Sequence, residues 1–275
     1  MPKNLTHFKN IIDEAFPLNL EIKNEFIFFL KKRLQFNDSD IFANIEKTLT
    51  NKEEELINNF FEKKQKKVPL DYILKSTEFF EEDFYVDHRV LIPRPETELL
   101  VDFINKYHFS ENIKILDAGT GSGCIGISIA LKNPKFKVYG SDYSVDSLDV
   151  ANINKQKLCA NNFYLIHSDW LSCFNEHSLD VVVSNPPYIS ENDPHLKNLR
   201  YEPKQALIAS DNGLHEIIKI SEQSKKILQK NGMLIFEHGF NQHIEVTNIL
   251  KKNGFSKIRS LSDYQNHNRF TLGII

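Results

Sequence analysis

Apolar side chains recur at helical spacing through the first part of this 275-residue chain. Over residues 21–34, and again over residues 52–67, they stand three or four positions apart with lysines on the opposite side. Glycine, which weakens a helix, is absent from this region. The pattern predicts a small helical domain over residues 1–68.

The pattern changes at Pro69, a residue that cannot continue a helix. Short apolar runs separated by polar residues fill residues 69–92, and this pattern predicts a β-hairpin linker. The runs are Tyr72-Ile73-Leu74, Glu78-Phe79-Phe80, Phe84-Tyr85-Val86 and Val90-Leu91-Ile92. Pro93 ends the extended segment, and Pro95 suits the first turn of a helix that runs to about His108.

Strand and helix patterns alternate through the rest of the chain. The predicted strands cover residues 113–117, 137–141, 163–167, 179–183, 233–237, 255–261 and 270–275. The predicted helices cover residues 125–132, 145–158, 213–230 and 242–252. Ser144 is a candidate N-cap for the second of these helices. Such alternation predicts an α/β fold with a mostly parallel, doubly wound sheet of seven strands.

Charge and cysteine content narrow the classes of function. The formal net charge is −3 and the pI about 6.4, whereas a general nucleic-acid binder usually carries a basic surplus. Residues 1–75 hold 13 basic and 12 acidic side chains, and this balance favours protein docking over nucleic-acid binding. Cys124, Cys159 and Cys173 form no Cys-x-x-Cys pair, which fits reduced thiols in the cytoplasm.

Two further patterns bear on location and on metals. No apolar run approaches the ~18 residues that a membrane-spanning helix needs, and no signal-peptide core follows Met1. We therefore expect a cytoplasmic protein. The ten histidines show no His-x-x-x-His spacing, so we expect no metal site.

A glycine-rich segment, Gly119-Thr120-Gly121-Ser122-Gly123, follows the predicted strand that ends at Asp117. Glycines at such a place permit a sharp turn and close approach of a ligand to the backbone. Asp142 ends the next strand, where a carboxylate accepts hydrogen bonds from ribose hydroxyls. These residues predict a nucleotide-containing cofactor. The spacing Gly121-x-Gly123-x-x-Gly126 leaves NAD open on this loop alone.

The most informative segment is Asn185-Pro186-Pro187-Tyr188, which follows the apolar residues 181–183. At the carboxyl end of a buried strand, it lies at the edge of the sheet where ligands bind. An amide side chain, a carbonyl held between two proline rings and an aromatic face suit a planar NH2 group. This favours group transfer to an amino or amide nitrogen over hydride transfer. The simpler alternative is that Asn185 caps a turn and the prolines end a strand.

Together these segments resemble the PrmC/HemK protein-(glutamine-N5) methyltransferases, which methylate the glutamine of the Gly-Gly-Gln motif in peptide chain release factors. The resemblance covers nearly the whole chain. It rests on residues 91–98 (LIPRPETE), Asp117–Gly123, Ser168-Asp169-Trp170, residues 183–189 (VSNPPYI), Arg200-Tyr201-Glu202-Pro203 and Phe236-Glu237-His238-Gly239. The tetrapeptide at Asn185 is shared with some nucleic-acid methyltransferases, whereas the first and fifth segments are far more specific to this family.

The resemblance implies a class I, Rossmann-like methyltransferase domain over residues 93–275, with S-adenosylmethionine as cofactor. It implies class I peptide chain release factors as protein substrates, docked with the help of residues 1–68, and no direct nucleic-acid binding. The implied cofactor contacts are Gly119, Thr120, Gly121, Ser122, Gly123, Asp142, Trp170 and Asn185. Trp170 would flank or stack on adenine, with a partly buried structural tryptophan as the alternative. The implied substrate contacts are Asn185, Pro186, Pro187 and Tyr188.

The expected mechanism assigns catalysis to Asn185, Pro186 and Tyr188. The Asn185 side-chain oxygen and the Pro186 carbonyl would each accept one N–H of the substrate amide, and Tyr188 would pack against it. No general base is needed, because the N–H becomes acidic once the methyl group arrives. Structural ion pairs with Arg94 or Arg200 are favoured for three carboxylates over a place at the substrate entrance. These carboxylates are Glu96, Glu98 and Glu202.

Two other functions stay open at this point. One is an adenine-N6 or guanine-N2 nucleic-acid methyltransferase, in which Tyr188 would stack on a flipped base; neither a recognition insert nor a basic face is evident. The other is a non-catalytic binding module, which the intact Asn185 and glycine loop oppose. Three positions depart from the family pattern: Lys75 stands where glycine is common in the linker, Ala118 where leucine is usual, and Asn268 where aspartate is usual.

Overall fold

The computed structural model describes residues 4–16, 19–43, 47–109 and 112–275. Its chain divides after Ser76 into two compact units. The division falls inside the segment that the sequence predicts as a linker. The roles assigned to residues 1–68 and 93–275 remain predictions.

Helices fill the first unit, in agreement with the apolar spacing. They are α1 (Leu5–Ala15), α2 (Leu20–Leu34), a short π-helix (Ser39–Ala43), α3 (Asn51–Gln65) and α4 (Leu70–Leu74). The side chains of Asn4, Asn19 and Thr50 accept hydrogen bonds from backbone N–H groups in the first turns of α1, α2 and α3. Stacked and tilted phenylalanine rings form the core of the unit. The largest contributors are Phe8, Phe26, Phe29, Phe60 and Phe61.

The prediction of an extended run at residues 72–74 is wrong, because these residues lie in α4. Pro69 is the N-cap of this helix, and the side chains of Tyr72, Ile73 and Leu74 are all buried. A run of three apolar residues carries no period that separates one helical turn from a strand. The helix ends at Lys75, whose φ of 57° lies in the left-handed region.

A β-hairpin occupies the middle of the predicted linker. Strand β1 (Thr77–Phe79) pairs antiparallel with β2 (Glu82–Phe84). Phe80 and Glu81 connect them with φ values of 48° and 70°, and two such positive values are the mark of a tight hairpin turn that matches strand twist. Residues 90–92, also predicted to be extended, form no strand. The Ile92 N–H instead donates to the buried carboxylate of Glu202 at 3.0 Å.

The second unit is built on a seven-stranded sheet, so the predicted fold class is confirmed. The strands are β3 (Lys114–Ala118), β4 (Lys137–Asp142), β5 (Phe163–His167), β6 (Leu179–Ser184), β7 (Leu228–Glu237), β8 (Ser256–Ser262) and β9 (Asn268–Ile274). Their order is β5-β4-β3-β6-β7-β9-β8. All neighbours are parallel except β9, which runs antiparallel to β7 and β8. The chain therefore reverses its direction of winding between β3 and β6, where such sheets bind ligands.

Helices cover both faces of this sheet. They are α5 (Glu98–Lys106) after a 3-10 turn at Pro95–Thr97, α6 (Cys124–Lys132), α7 (Val145–Lys157), the short α8 (Ser210–Gly213), α9 (His215–Ile227) and α10 (His243–Lys252). Alternate residues along each strand point to opposite faces. Accordingly Ile115 joins the core that includes α5 and α6, whereas Leu116 joins the core that includes α9 and α10.

One predicted helix end in this unit is wrong, and one predicted N-cap is confirmed. The helix predicted over residues 213–230 ends at Ile227, because Leu228 already pairs with Leu179 as the start of β7. The Ser144 prediction is confirmed, since its hydroxyl accepts the Ser147 N–H at 3.2 Å. The helix ends before its predicted boundary because Leu228 pairs with a neighbouring strand. The pairing partner of a residue cannot be predicted from the local spacing of apolar residues.

Candidate active site

The glycine-rich loop is held at the end of β3 by the carboxylate of Asp117. This oxygen, Oδ2, accepts the Thr120 hydroxyl at 2.6 Å and the Gly126 N–H at 3.0 Å. The two bonds fix both sides of the turn between β3 and α6. Complete burial raises the pKa of Asp117 to about 7, because a buried carboxylate loses its hydration.

Two glycines of the loop are required for different reasons. Gly119 has a φ of 76°, and a Cβ there would lie 2.7 Å from the Trp170 ring. Gly121 has a φ of 54°, but a Cβ there would meet no atom within 4 Å. The loop is therefore packed against the indole at Gly119 and open toward the neighbouring cavity at Gly121.

Asp142 stands at the carboxyl end of β4 and joins the loop from the other side. Its Oδ2 accepts the Gly121 N–H at 2.9 Å, and its Oδ1 accepts the Ser144 N–H at 2.9 Å. Burial raises the pKa of this carboxyl above its ordinary value. Asp142 also lines the cavity, where its remaining lone pairs can accept hydroxyl groups.

Trp170 reaches the cavity from the segment after β5 and is oriented by α9. Its indole N–H donates to Glu216 at 2.7 Å, while Lys219 pairs with the adjacent Asp169 at 2.7 Å. Glu216 and Lys219 are three residues apart on α9, so they share one face of the helix. Sequence reasoning missed both, because no motif marks them.

These elements surround one cavity of about 460 Å³. Eight of the predicted site residues line it: Gly119, Thr120, Gly121, Ser122, Asp142, Trp170, Asn185 and Pro187. Gly123, Pro186 and Tyr188 do not. Gly123 is instead the N-cap of α6, where a Cβ would lie 2.8 Å from the Ile127 side chain. Pro186 is buried beside the cavity.

Asn185 is oriented by two residues that sequence reasoning gave no role. Its Nδ2 donates to the Thr97 hydroxyl oxygen at 3.3 Å, and the Thr97 hydroxyl donates to Glu237 Oε2 at 2.6 Å. Because the Asn185 side-chain nitrogen is hydrogen-bonded to Thr97, its side-chain oxygen points away from Thr97. The Tyr188 hydroxyl lies 3.5 Å from the other carboxylate oxygen of Glu237, Oε1. Burial raises the pKa of the Tyr188 phenol above its ordinary value.

Glu237 is the buried end of this network. It is 1% exposed, and burial raises its pKa to about 7. The nearby positive charge of Arg269 acts in the opposite direction, while the negative charge of Glu96 adds to the rise. The carboxyl is ionised above that pH, where Thr97 must donate to it.

Glu202 and Glu98 have structural partners in the second unit. Glu202 is buried, and it accepts Arg94 at 2.6 Å and the Ile92 N–H at 3.0 Å. The preference for a structural ion pair is therefore correct for Glu202. Glu98 accepts the Phe80 N–H at 3.0 Å in place of an arginine. Both carboxylates hold backbone segments, and the one held by Glu202 lies between Leu91 and Pro93, which line the cavity.

Residues 4–16, 19–43, 47–109 and 112–275 contain no group of three or more His, Cys, Asp or Glu side chains placed to hold a metal ion. Within the same ranges, none of the helices is long and apolar enough to cross a membrane.

Several known proteins have sequences similar to that of this chain. The methyltransferase small domain model matches residues 95–271. A release factor glutamine methyltransferase of Coxiella burnetii is 32% identical over 95% of this chain and 92% of its own length. One from Buchnera aphidicola is 36% identical over 86% of this chain and 85% of its own. A bifunctional methyltransferase of Rickettsia bellii is 35% identical, and the match spans 83% of this chain but 47% of that protein.

The chain belongs to the release factor glutamine methyltransferase family. It is an S-adenosylmethionine-dependent enzyme with a methyltransferase domain. As a member of this family, it carries a lysine at position 75 with a left-handed φ of 57°. Glycine, which the family resemblance leads us to expect at this position, takes that conformation without strain. Ala118, the second departure, is fully buried in the core beside β3.

The residues that line the cavity fit the chemistry of the cofactor. The open side of Gly121 leaves room for a ligand against the backbone, as its unobstructed Cβ direction indicates. Asp142 presents a carboxylate to the same cavity, and Trp170 presents an aromatic side chain. A hydroxyl acceptor and an aromatic ring are the groups that a ribose and an adenine require.

Proposed function

We propose that this methyltransferase transfers a methyl group to the side-chain amide nitrogen, N5, of the glutamine in the Gly-Gly-Gln motif of class I peptide chain release factors. The single observation that carries the proposal is the orientation of Asn185. Its nitrogen is bonded to Thr97, so its oxygen is available at the cavity to accept an N–H of the substrate. Relatives named release factor glutamine methyltransferases supply the class of substrate.

The substrate amide is held by two acceptors, the Asn185 side-chain oxygen and the Pro186 carbonyl. An amide nitrogen is a weak nucleophile because its lone pair is delocalised into the carbonyl group. Acceptors on its hydrogens fix its position and stabilise the positive charge that develops on nitrogen. Pro187 restricts Pro186 to an extended backbone, which aims that carbonyl. Tyr188, anchored toward Glu237, packs behind the substrate amide.

The methyl donor is bound by the opposite wall of the cavity. Of the glycine-rich segment, Gly119, Thr120, Gly121 and Ser122 line the cavity; together with Asp142 they hold the nucleoside, and Trp170 flanks its base. When bound, S-adenosylmethionine supplies a methyl group on a sulfonium sulfur, which becomes a neutral thioether as the N–C bond forms. The surplus proton on the substrate nitrogen passes to solvent, and no side chain is required as a base.

The N-terminal helical unit is proposed to help dock the release factor, and the enzyme is proposed to act in the cytoplasm. The nearly balanced charge of residues 1–75 suits binding to a protein surface better than binding to a phosphate backbone. Direct nucleic-acid binding forms no part of the proposal.

Label transfer from the cofactor tests this function. The protein is incubated with methyl-labelled S-adenosylmethionine and an isolated release-factor domain, and a second sample carries its Gly-Gly-Gln glutamine replaced by alanine. We expect label only in the first sample, located by mass spectrometry on the glutamine side chain. Label that survives the replacement, or that enters duplex DNA or RNA in parallel reactions, overturns the assignment.

Asn185→Ala tests the role of the amide acceptor. The loss of one acceptor is expected to lower turnover by about 10²–10³-fold with cofactor affinity kept, as measured by calorimetric titration. Asn198→Ala, at an exposed position after the 3-10 turn Pro194–Lys197 and outside the cavity lining, serves as the matched control. Near-normal turnover of the Asn185 variant with bound cofactor contradicts the proposed mechanism.

A further inference from the structure

Thr97 lies between two groups that fix its hydroxyl in one direction. Its hydroxyl donates to Glu237 Oε2 at 2.6 Å, and its oxygen accepts Asn185 Nδ2 at 3.3 Å. A threonine hydroxyl has one proton and two lone pairs. While Glu237 is ionised and can only accept, the proton goes to Glu237 and only lone pairs face Asn185.

This arrangement decides which end of the Asn185 amide faces the cavity. The oxygen and nitrogen of a side-chain amide are close in size, so packing alone does not distinguish the two orientations. A lone pair on Thr97 does distinguish them, because it attracts the NH2 end and repels the oxygen. The reversed amide would present N–H donors to the N–H donors of the substrate, and no hydrogen bond would form.

We propose that Thr97 and Glu237 are positioning residues for methyl transfer, which hold the Asn185 amide with its oxygen toward the substrate nitrogen. This inference rests on the proposed function, since it assigns Asn185 as the acceptor. Thr97 is 2% exposed and Glu237 is 1% exposed, so water competes little for their hydrogen bonds. Neither residue needs to touch the reacting atoms.

The structure supplies independent support from the local backbone. Thr97 ends the 3-10 turn Pro95–Thr97, and its N–H bonds to the Arg94 carbonyl at 3.0 Å. Arg94 is in turn held by the buried Glu202 at 2.6 Å. Glu237 ends β7, next to the β6 strand that delivers Asn185. The network therefore joins groups on two rigid elements, which is what precise orientation requires.

The test replaces Thr97 by valine, which has the same shape and no hydroxyl, and by serine, which restores the hydroxyl. For Thr97→Val we expect kcat to fall about 10- to 100-fold, with the affinity for S-adenosylmethionine in calorimetry within about twofold. Thr97→Ser is expected to recover most of the lost rate. Thr77→Val, a buried threonine in β1 away from the cavity, is the matched control for the loss of a hydroxyl.

A double-variant cycle separates positioning from a merely structural role. If Thr97 acts through Asn185, Thr97→Val lowers kcat far less in an Asn185→Ala background than in the wild type. An equal loss in both backgrounds, or a Thr97→Val variant with the wild-type rate, overturns the inference. The proposed function fails differently: the wild type would then transfer no label to the release-factor glutamine, or Asn185→Ala alone would keep full activity.

Discussion

Trp170 donates its indole N–H to a Glu216 carboxylate oxygen at 2.7 Å, and this bond joins the segment after β5 to α9. The same indole fills the space beside Gly119. One aromatic ring is thus fixed on one side by a charge-assisted hydrogen bond and on the other by the glycine loop. These two contacts fix the position of the aromatic wall of the cavity.

Glu216→Ala is expected to weaken S-adenosylmethionine binding about tenfold, because a hydrogen bond to a charged group contributes on the order of 1.5–3 kcal/mol and part of that orients the indole. Calorimetric titration measures the change. Glu222→Ala, at an exposed position on the same helix, should leave the affinity as it is. Trp170→Phe keeps a ring and loses the N–H, so adding Glu216→Ala to it should cost little more. Additive losses would instead indicate that Glu216 contacts the cofactor directly.

Gly119→Ala and Gly121→Ala should differ sharply although both glycines have positive φ. At Gly119 the new methyl would lie 2.7 Å from Trp170, so the ring must move, and we expect an additional cost of about 1–3 kcal/mol from overpacking. At Gly121 only the backbone penalty of about 1–2 kcal/mol applies. Chemical denaturation of both variants without cofactor checks the order, and equal destabilisation would contradict the proposed contact with Trp170.

The buried carboxyl of Glu237 makes folding stability depend on pH. Its ordinary pKa is 4.5, and burial raises the folded-state pKa to about 7. Between these values the folded protein keeps a proton that the unfolded chain has lost, so the free energy of unfolding falls as pH rises. Below pH 4.5 Glu237 is protonated in both the folded and the unfolded protein, so folding then buries no negative charge at this position.

Glu237→Gln removes that contribution while keeping the shape of the side chain. The difference in unfolding free energy between the variant and the wild type should shift in favour of the variant by on the order of 1–3 kcal/mol between pH 4.5 and pH 7. Urea titrations at a series of pH values measure it. Asp117, whose pKa burial also raises to about 7, is present in both proteins and cancels in the difference. A pH-independent difference would show that Glu237 keeps an ordinary pKa.

Lys75→Gly is expected to stabilise the protein by about 0.5–1 kcal/mol. A left-handed φ of 57° at Lys75 costs a residue with a Cβ about 1–2 kcal/mol. Glycine removes this cost, but its greater conformational freedom in the unfolded chain offsets part of the stabilisation. The thermal unfolding midpoint should rise by a few degrees. Lys75→Ala, which keeps the Cβ, is the control and should give no such rise.

Much of the fold follows from local patterns in the sequence. The central strands were predictable because buried strands are short apolar runs between turns, and the loop at Gly119 and the segment at Asn185 both follow such runs. Sequence reasoning failed at residues 72–74, where three apolar residues carry no period. It also could not find the partners of Asn185 and Trp170. Thr97 and Glu237 are 140 positions apart, and Trp170 and Glu216 are 46 apart.

The residues proposed to bind the two substrates of the reaction lie largely in different parts of the sequence, and the strand order shows where these parts meet. Residues 114–167 form the contiguous half β3-β4-β5, which carries the glycine loop and Asp142, while residues 179–274 form β6-β7-β9-β8, which carries Asn185 and Glu237. The two halves are joined in the sheet by one parallel pairing, that of β3 with β6. On the proposed assignment, the glycine loop and Asp142 of the first half hold the donor and Asn185 of the second half holds the acceptor, while Glu216 on α9 is a contribution of the second half to the donor side. On this assignment, a change confined to the residues around Asn185 would alter which nitrogen is methylated, while the glycine loop and Asp142 keep their contacts with the donor.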